Sequence, residues 1–495
     1  MRRFFPVHPE RSEAHARPCG ARKSKGRLAE RLRLRACGAA LSPSGWGRFA
    51  LLLACAIPAA HAAVPPPVAL PPAEAAPSEA RRMQWFADAK FGIFIHYGIY
   101  AVDGIDESWS FYDGYVSYDH YMQQLKGFTA ADYHPHAWAD LIRESGARYA
   151  VLTAKHHDGV ALWDTAQGLN VVKDTPARRN LVGPFVDALR KDGIKVGLYF
   201  SLIDWSYPDY PGFTKTESRY DAKADPARWN RFVRYYQGQL RDLSQRYNPD
   251  LYWFDGDWEH GAAEWHAQQD RQMLLARNPM AIINSRLAGY GDYATPEQGV
   301  PITPPAQKYW ELCLTMNDSW GWQPNDHHFK SANQLIRILA DTIGMGGNLL
   351  LDIGPRADGS IPPREADTLK EIGRWTHEHA EAIYGTQAGI PKDYYAGSST
   401  LSKDGTTLYL FVDGRPNGPV LVKGLMNRVL HARVVGNGTT LDTQVVGKPY
   451  WSKVPGLLYV TVPPATLDPE ITVLALTLDG PARLFHDEVK PIESN

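Results

Sequence analysis

Short apolar runs and longer amphipathic stretches alternate along residues 78–388. The runs fall at 90–98, 148–157, 195–203, 250–255, 280–286, 308–316 and 348–354, each of strand length and rich in apolar residues. Between them, apolar residues recur at helical spacing over 130–145, 181–191, 226–247, 332–343 and 364–383. Ser78 is placed to cap a further helix that runs to Ala89. Continuous apolar strands alternating with helices predict a parallel sheet, and seven such units predict an α/β fold of the (β/α)8-like, TIM-type barrel class. No eighth apolar run is evident, so the expected barrel is irregular. Residues 101–127, rich in Gly, Asp, Ser and Tyr, read as a loop. After Gly389 the period changes to short strands near 408–412, 420–422, 429–435, 457–462 and 471–477, separated by Gly, Pro and Asn/Asp turns. That spacing predicts a C-terminal antiparallel β-sandwich over 389–495.

The fourth run carries the most chemistry. Alternation along a strand puts Trp253, Asp255 and Asp257 on one face and Tyr252 and Phe254 on the other. An aromatic plate beside a strand-end carboxylate suits attack on a sugar; an Asp-Gly turn that merely ends the strand is the plainer alternative. His96, His156, His157, Tyr199, Asp255 and Arg286 all fall at or near the C-terminal ends of predicted strands, the face where such barrels keep their active sites. A single strand-end histidine is more often a hydrogen-bonded structural residue. Adjacent His156 and His157 point to opposite faces and are poorly placed to chelate, so neither a metal nor any other cofactor is expected. Neutral imidazoles instead supply donors and acceptors for sugar hydroxyls. A retaining glycosidase needs a second carboxyl about 5–5.5 Å from its nucleophile. Asp257, Glu259, Asp292, Glu297 and Glu311 are all candidates, and spacing does not choose among them.

Several blocks occur in order: Phe91-Gly-Ile-Phe-Ile-His96-Tyr-Gly98, Lys155-His156-His157-Asp158-Gly159, Trp253-Phe-Asp255-Gly256, Trp310-Glu311-Leu-Cys313 and Asn348-Leu-Leu-Leu-Asp352-Ile-Gly-Pro355. Together they resemble the exo-α-L-fucosidases of glycoside hydrolase family 29, over about residues 80–480. The resemblance implies that Asp255 is the nucleophile of a retaining, two-step reaction that removes terminal α-L-fucose from glycans or glycoconjugates. It implies Glu297, within Thr295-Pro296-Glu297, as acid/base. It implies His96, Trp109, His156, His157, Tyr199, Trp253 and Arg286 as substrate-binding residues. Ser285 and Asp352 depart from it, standing where the family commonly has Asp and Asn. A barrel glycosidase for another sugar, a non-catalytic carbohydrate-binding protein and a metal-dependent hydrolase using His96, His156, His157 and Asp255 remain alternatives.

Composition changes this picture little. The 53 Lys and Arg nearly cancel the 54 Asp and Glu, leaving a formal charge of -1 and no case for nucleic acid or an acidic membrane surface as partner. A fucosylated oligosaccharide or glycoconjugate is the expected partner, and the 15 Trp and 25 Tyr suit sugar stacking as well as a packed core. Residues 1–62 read as a basic leader with an apolar run at 49–57 and Ala60-His61-Ala62 before a cleavage site, so the chain is expected to be exported, periplasmic or secreted. A Pro/Ala linker, 63–77, precedes the barrel. No run reaches the ~20 apolar residues that span a bilayer. Cys19, Cys37 and Cys55 lie in the leader; Cys313 remains alone and is expected to serve packing rather than catalysis.

Overall fold

The computed structural model describes residues 77–451 and 453–486; the predicted leader and the linker up to residue 76 lie outside them. Helix α1 (Glu79–Ala89) begins where Ser78 Oγ accepts the Arg81 N–H, as its N-cap position predicts. Seven parallel strands follow: β1 (Phe91–Ile95), β2 (Tyr149–Lys155), β3 (Lys195–Ser201), β4 (Leu251–Asp255), β5 (Ile282–Ile283), β6 (Glu311–Thr315) and β7 (Asn348–Ile353). Their order in the curled sheet is β5-β4-β3-β2-β1-β7-β6. Helices α2 (Pro135–Glu144), α3 (Val182–Lys191), α4 (Pro226–Tyr247), α5 (Ala267–Arg277), α6 (Ala332–Gly344) and α7 (Pro363–Glu378) lie along the sequence between and after the strands.

Strand alternation divides the core in two. Phe94, Tyr149, Tyr199, Trp253, Ile282, Cys313 and Leu350, from all seven strands, form one buried cluster together with Met83 and Phe86 of α1. Their strand neighbours, such as Ile93, Phe200, Tyr252, Phe254 and Leu351, join the apolar faces of the helices in the larger cluster. Burial on both faces of the sheet explains why the strands read as largely apolar runs rather than alternating ones.

The barrel is irregular between β5 and β6. Strand β5 has only two residues because the Asn284 side chain takes over pairing with the next peptide of β4: Phe254 N–H donates to Asn284 Oδ1 (2.8 Å) and Asn284 Nδ2 donates to Phe254 O (2.9 Å). The gap is filled by residues 293–298, which bridge Asn284 on one side and Trp310 and Cys313 on the other. Glu311 N–H donates to Ala294 O (2.8 Å) and Cys313 N–H to Pro296 O (3.1 Å). Pro296 has no N–H to offer a ladder, so this segment closes the ring without becoming a regular strand.

Some element bounds differ from expectation. The helix expected from residue 130 begins at Pro135, whose fixed φ suits a first helical turn. That expected over 364–383 breaks at His379, whose Nδ1 hydrogen-bonds Trp375 O, before a short turn at Ala380–Ile383. The 101–127 loop contains helical turns at Trp109–Tyr112 and Tyr118–Gln123.

Beyond the barrel come β8 (Gln387–Ala388), β9 (Ser399–Leu401), β10 (Thr407–Asp413), β11 (Val420–Lys423), β12 (Val429–Val434), β13 (Asp442–Val446), β14 (Leu457–Thr461) and β15 (Ile471–Leu478). They form antiparallel sheets ordered β8-β9-β10-β15-β12 and β11-β14-β13. Leu408, Leu410, Leu474 and Leu476 of the first pack with Val420, Val422, Leu458 and Val460 of the second. The opposite face, with Phe411 and Val473, joins the barrel core, where Trp375 Nε1 donates to Ile471 O (2.8 Å). Among the described residues no helix is long and apolar enough to cross a membrane.

Candidate active site

Asp255 is the last residue of β4 and is buried. Gly256 follows at φ +84°, a left-handed conformation in which a Cβ would meet Ile203 Cγ1 at 2.8 Å, so the turn needs glycine. Alternation stops there. Asp257, expected on the same face as Asp255, lies in the turn and its Oδ2 accepts the Ala288 N–H (2.8 Å). Asp255 Oδ1 accepts from Arg286 Nη1 (3.0 Å) and Oδ2 from Tyr199 Oη (3.0 Å), with His157 Nε2 3.6 Å from Oδ2.

Arg286 spans two carboxylates. Its Nη2 donates to Glu297 Oε2 at 2.7 Å while Nη1 holds Asp255. Burial works against the guanidinium charge, yet Glu297 and Asp255 hold its pKa well above the ordinary arginine value. Its planar fork presents two N–H groups in fixed directions, one to each acid. The other acid candidates are committed elsewhere. Asp292 is pinned by Arg82 (2.7 Å) and Arg271 (2.5 Å), Glu259 accepts from Tyr210 Oη and Trp205 Nε1, and Glu311 lies fully buried inside the barrel.

Trp253, expected as an aromatic plate beside Asp255, is closely surrounded. It is 2% exposed, with Arg286 centred 4.7 Å over its ring and Tyr199 stacked at 5.6 Å. Its Nε1 donates to Glu311 Oε1 (2.9 Å), and Tyr149 Oη donates to Glu311 Oε2 (2.6 Å). Trp253 is therefore the seat of Arg286, and Tyr199 an orienting donor to Asp255.

The three histidines line one side, each with Nδ1 engaged: His96 with Asp352 Oδ1 (2.6 Å), His156 with Ser108 Oγ (2.6 Å) and His157 with Ser201 Oγ (2.5 Å). Ser201 Oγ gives its proton to Ile203 O (2.8 Å), so it receives one from His157 Nδ1. His156 stacks on Tyr199, interplanar angle 7°. Burial, then the neighbouring His156, hold the His96 pKa well below the ordinary value against the pull of Asp255. Trp109 meets His157 edge-on at 5.5 Å.

Two aromatic residues were not singled out from sequence. Trp320 lies 4.9 Å from His96, and Trp258, 49% exposed, lies 5.7 Å from His157 and 6.1 Å from Trp109. Both sit in loops beyond the strand ends; the only signal was an aromatic residue beside Gly or Asp. The loop carrying Trp320 is tied down by Glu107, buried and accepting the Gly321 N–H. Among the described residues, the groups able to hold a cation are Asp318/Asp326/His328 and Glu378/His379/Asp468, neither of which includes a pocket residue.

The α-L-fucosidase family model matches residues 70–381. The chain belongs to this family. In glycoside hydrolase terms it is a family 29 enzyme. Among α-L-fucosidases it is 34% identical to the tissue α-L-fucosidase of Rattus norvegicus over 337 residues, covering 61% of this chain and 70% of that one. The tissue α-L-fucosidase of Homo sapiens is also 34% identical, over 336 residues, with 61% and 69% covered. The solved structure of α-L-fucosidase isoenzyme 1 from Paenibacillus thiaminolyticus aligns with a TM-score of 0.73 and 32% identity, covering 81% of this chain and 99% of that one. A family 29 α-L-fucosidase from Bacteroides thetaiotaomicron, trapped as a covalent intermediate with 2-fluoro-fucosyl fluoride by a glutamate-to-glutamine mutant, aligns at 0.70 and 28% identity, with 80% and 96% covered.

Proposed function

We propose that this α-L-fucosidase acts by retaining double displacement, with Asp255 as nucleophile and Glu297 as acid/base. The observation that carries the reading is the single Arg286 fork holding both carboxylates, with the His157 imidazole 3.6 Å from Asp255. In the first step an Asp255 oxygen bonds to the anomeric carbon as the glycosidic C–O bond breaks, and Glu297 gives its proton to the leaving oxygen. Arg286 and Tyr199 keep Asp255 aimed through its other lone pairs. In the second step water attacks the same carbon, Glu297 takes its proton and Asp255 is released, giving L-fucose with retained configuration. The covalent intermediate trapped in the Bacteroides relative supports this order. His96, His156, His157 and Trp109 are the substrate-facing set, and terminal fucose on oligosaccharides or glycoconjugates is the substrate. The basic leader, its apolar run and the Ala60-His61-Ala62 site support an exported enzyme.

The test is hydrolysis of an aryl α-L-fucoside followed by NMR. The α anomer of fucose must appear first, and Asp255→Gly must lose turnover and regain part of it with azide, forming fucosyl azide. First appearance of the β anomer would exclude the double displacement.

A further inference from the structure

The contact between His96 and Asp352 is one that none of the steps above uses. Asp352 is the fifth residue of β7, fully enclosed, and its Oδ1 lies 2.6 Å from His96 Nδ1. Its other oxygen, Oδ2, is buried with no hydrogen-bond partner. We propose that Asp352 is a positioning residue: it is a neutral carboxylic acid whose O–H donates to His96 Nδ1, so that His96 presents Nε2–H to a hydroxyl of the bound sugar. The proposal rests on the fucosidase reading above.

The charges around the pair favour that arrangement. Glu107, from the loop after β1, and Glu365, on α7, are the acids that act on Asp352, both buried, and the Tyr100 hydroxyl is enclosed beside them. Arg356 is the cation of this neighbourhood and acts on Glu365. His96 itself faces His156 and, across the pocket, Asp255. An ionised Asp352 would leave Oδ2 bare and anionic among like charges, an expensive state inside a protein. Burial first, then Glu365 and Glu107, push the Asp352 carboxyl well up against the weaker pull of the His96 backbone N–H, while the His96 imidazole is held neutral.

With both groups neutral, two placements of the two protons remain. If His96 carried its proton on Nδ1, the Asp352 O–H would sit on Oδ2 with no acceptor, since that atom has no partner. If Asp352 donates from Oδ1, every proton of the pair is used and the imidazole N–H falls on Nε2. No hydrogen bond to Nε2 is present among the described residues, and Trp320 covers the ring at 4.9 Å. Ionisation of Asp352 would reverse this: one proton leaves to solvent, the remaining one moves to Nδ1 to serve the carboxylate, and Nε2 becomes a bare acceptor. A sugar oxygen that had accepted from it would then face a lone pair.

The test is L-fucose binding by the intact chain, followed by calorimetry from pH 5 to pH 9, for the parent, Asp352→Asn and Asp352→Ala. An amide cannot ionise and can donate to Nδ1, which makes Asn the conservative replacement. Parent affinity is expected to fall about tenfold as Asp352 ionises, the worth of one hydrogen bond. Asp352→Asn should keep the parent's low-pH affinity and lack that fall, and Asp352→Ala should bind weakly throughout. The kcat/KM for α-L-fucosyl fluoride, whose leaving group needs no proton from Glu297, should follow the same pattern. An Asp352→Asn curve that tracks the parent's at every pH, or that lies with Asp352→Ala, would overturn the proposal. A parent that neither binds fucose nor turns over the fluoride would overturn the fucosidase reading beneath it, a separate and recognisable result.

Discussion

Glu311→Gln is the substitution whose consequences the structure prescribes most closely. Glu311 is enclosed in the barrel interior, where Trp253 Nε1 and Tyr149 Oη donate to its two oxygens. Burial raises its pKa to about 7 against the opposing pull of Tyr149, Trp253 and Arg286. Between the ordinary carboxyl value near 4.5 and about 7, the folded chain holds a proton that the unfolded chain has lost. Stability therefore falls as pH rises through that window, and the full penalty applies above it. At ~1.4 kcal/mol per pKa unit the penalty is about 3 kcal/mol. Glutamine never ionises, so the variant escapes it. Urea denaturation of both proteins, followed by tryptophan fluorescence between pH 4.5 and pH 8, should show Glu311→Gln gaining about 3 kcal/mol on the parent across the window. Asp352 and Glu365, also raised by burial, are common to both proteins and cancel in the difference. Because the amide oxygen of the variant can still accept from Trp253, the seat of Arg286 should hold and kcat/KM stay within about tenfold, one hydrogen bond's worth. A stability difference that is the same at pH 5 and pH 8 would refute the reasoning.

Two further outcomes follow from the same contacts. Arg286→Lys keeps the charge but not the planar fork, so Asp255 and Glu297 lose the two separate nitrogens that fix their positions; kcat/KM for an aryl fucoside should fall by about 10²-fold or more, with kcat carrying most of the loss. Asp292→Ala would strip the shared acid from Arg82 and Arg271 at the foot of the closing segment, costing about 3–5 kcal/mol in urea denaturation. Burial opposes the Asp292 charge, but Arg82 and Arg271 hold its pKa below the ordinary value. Its contribution is therefore present at neutral pH and lost as pH falls through that depressed value, so parent and variant should converge in acid.

The barrel and the sandwich were readable in the sequence because both depend on local periodicity. A strand buried on both faces reads as a near-continuous apolar run, as Phe91–Ile95 does and as Asn348–Ile353 does apart from Asn348 and Asp352. The strand-end positions of His96, His156, His157 and Asp255 were readable for the same reason: strand length fixes where a β/α unit ends. The pairing of charges was not. Asp257, Glu259, Asp292, Glu297 and Glu311 are equivalent as letters. Only folding commits Asp292 to Arg82, more than two hundred residues away in the chain, and leaves Glu297 on the Arg286 fork that holds Asp255. The closing segment around Pro296 has no strand pattern, since its place in the ring is enforced by β6 and Asn284 rather than by its own residues. Alternation puts Trp253 on the face of Asp255, but what packs on that face depends on other strands and loops, and Arg286 and Tyr199 lie against its ring. Period and strand length are properties of neighbouring residues and survive in one dimension. Ion pairing, enclosure and the proton on His96 depend on groups brought together from distant positions, and the tertiary structure alone decides them.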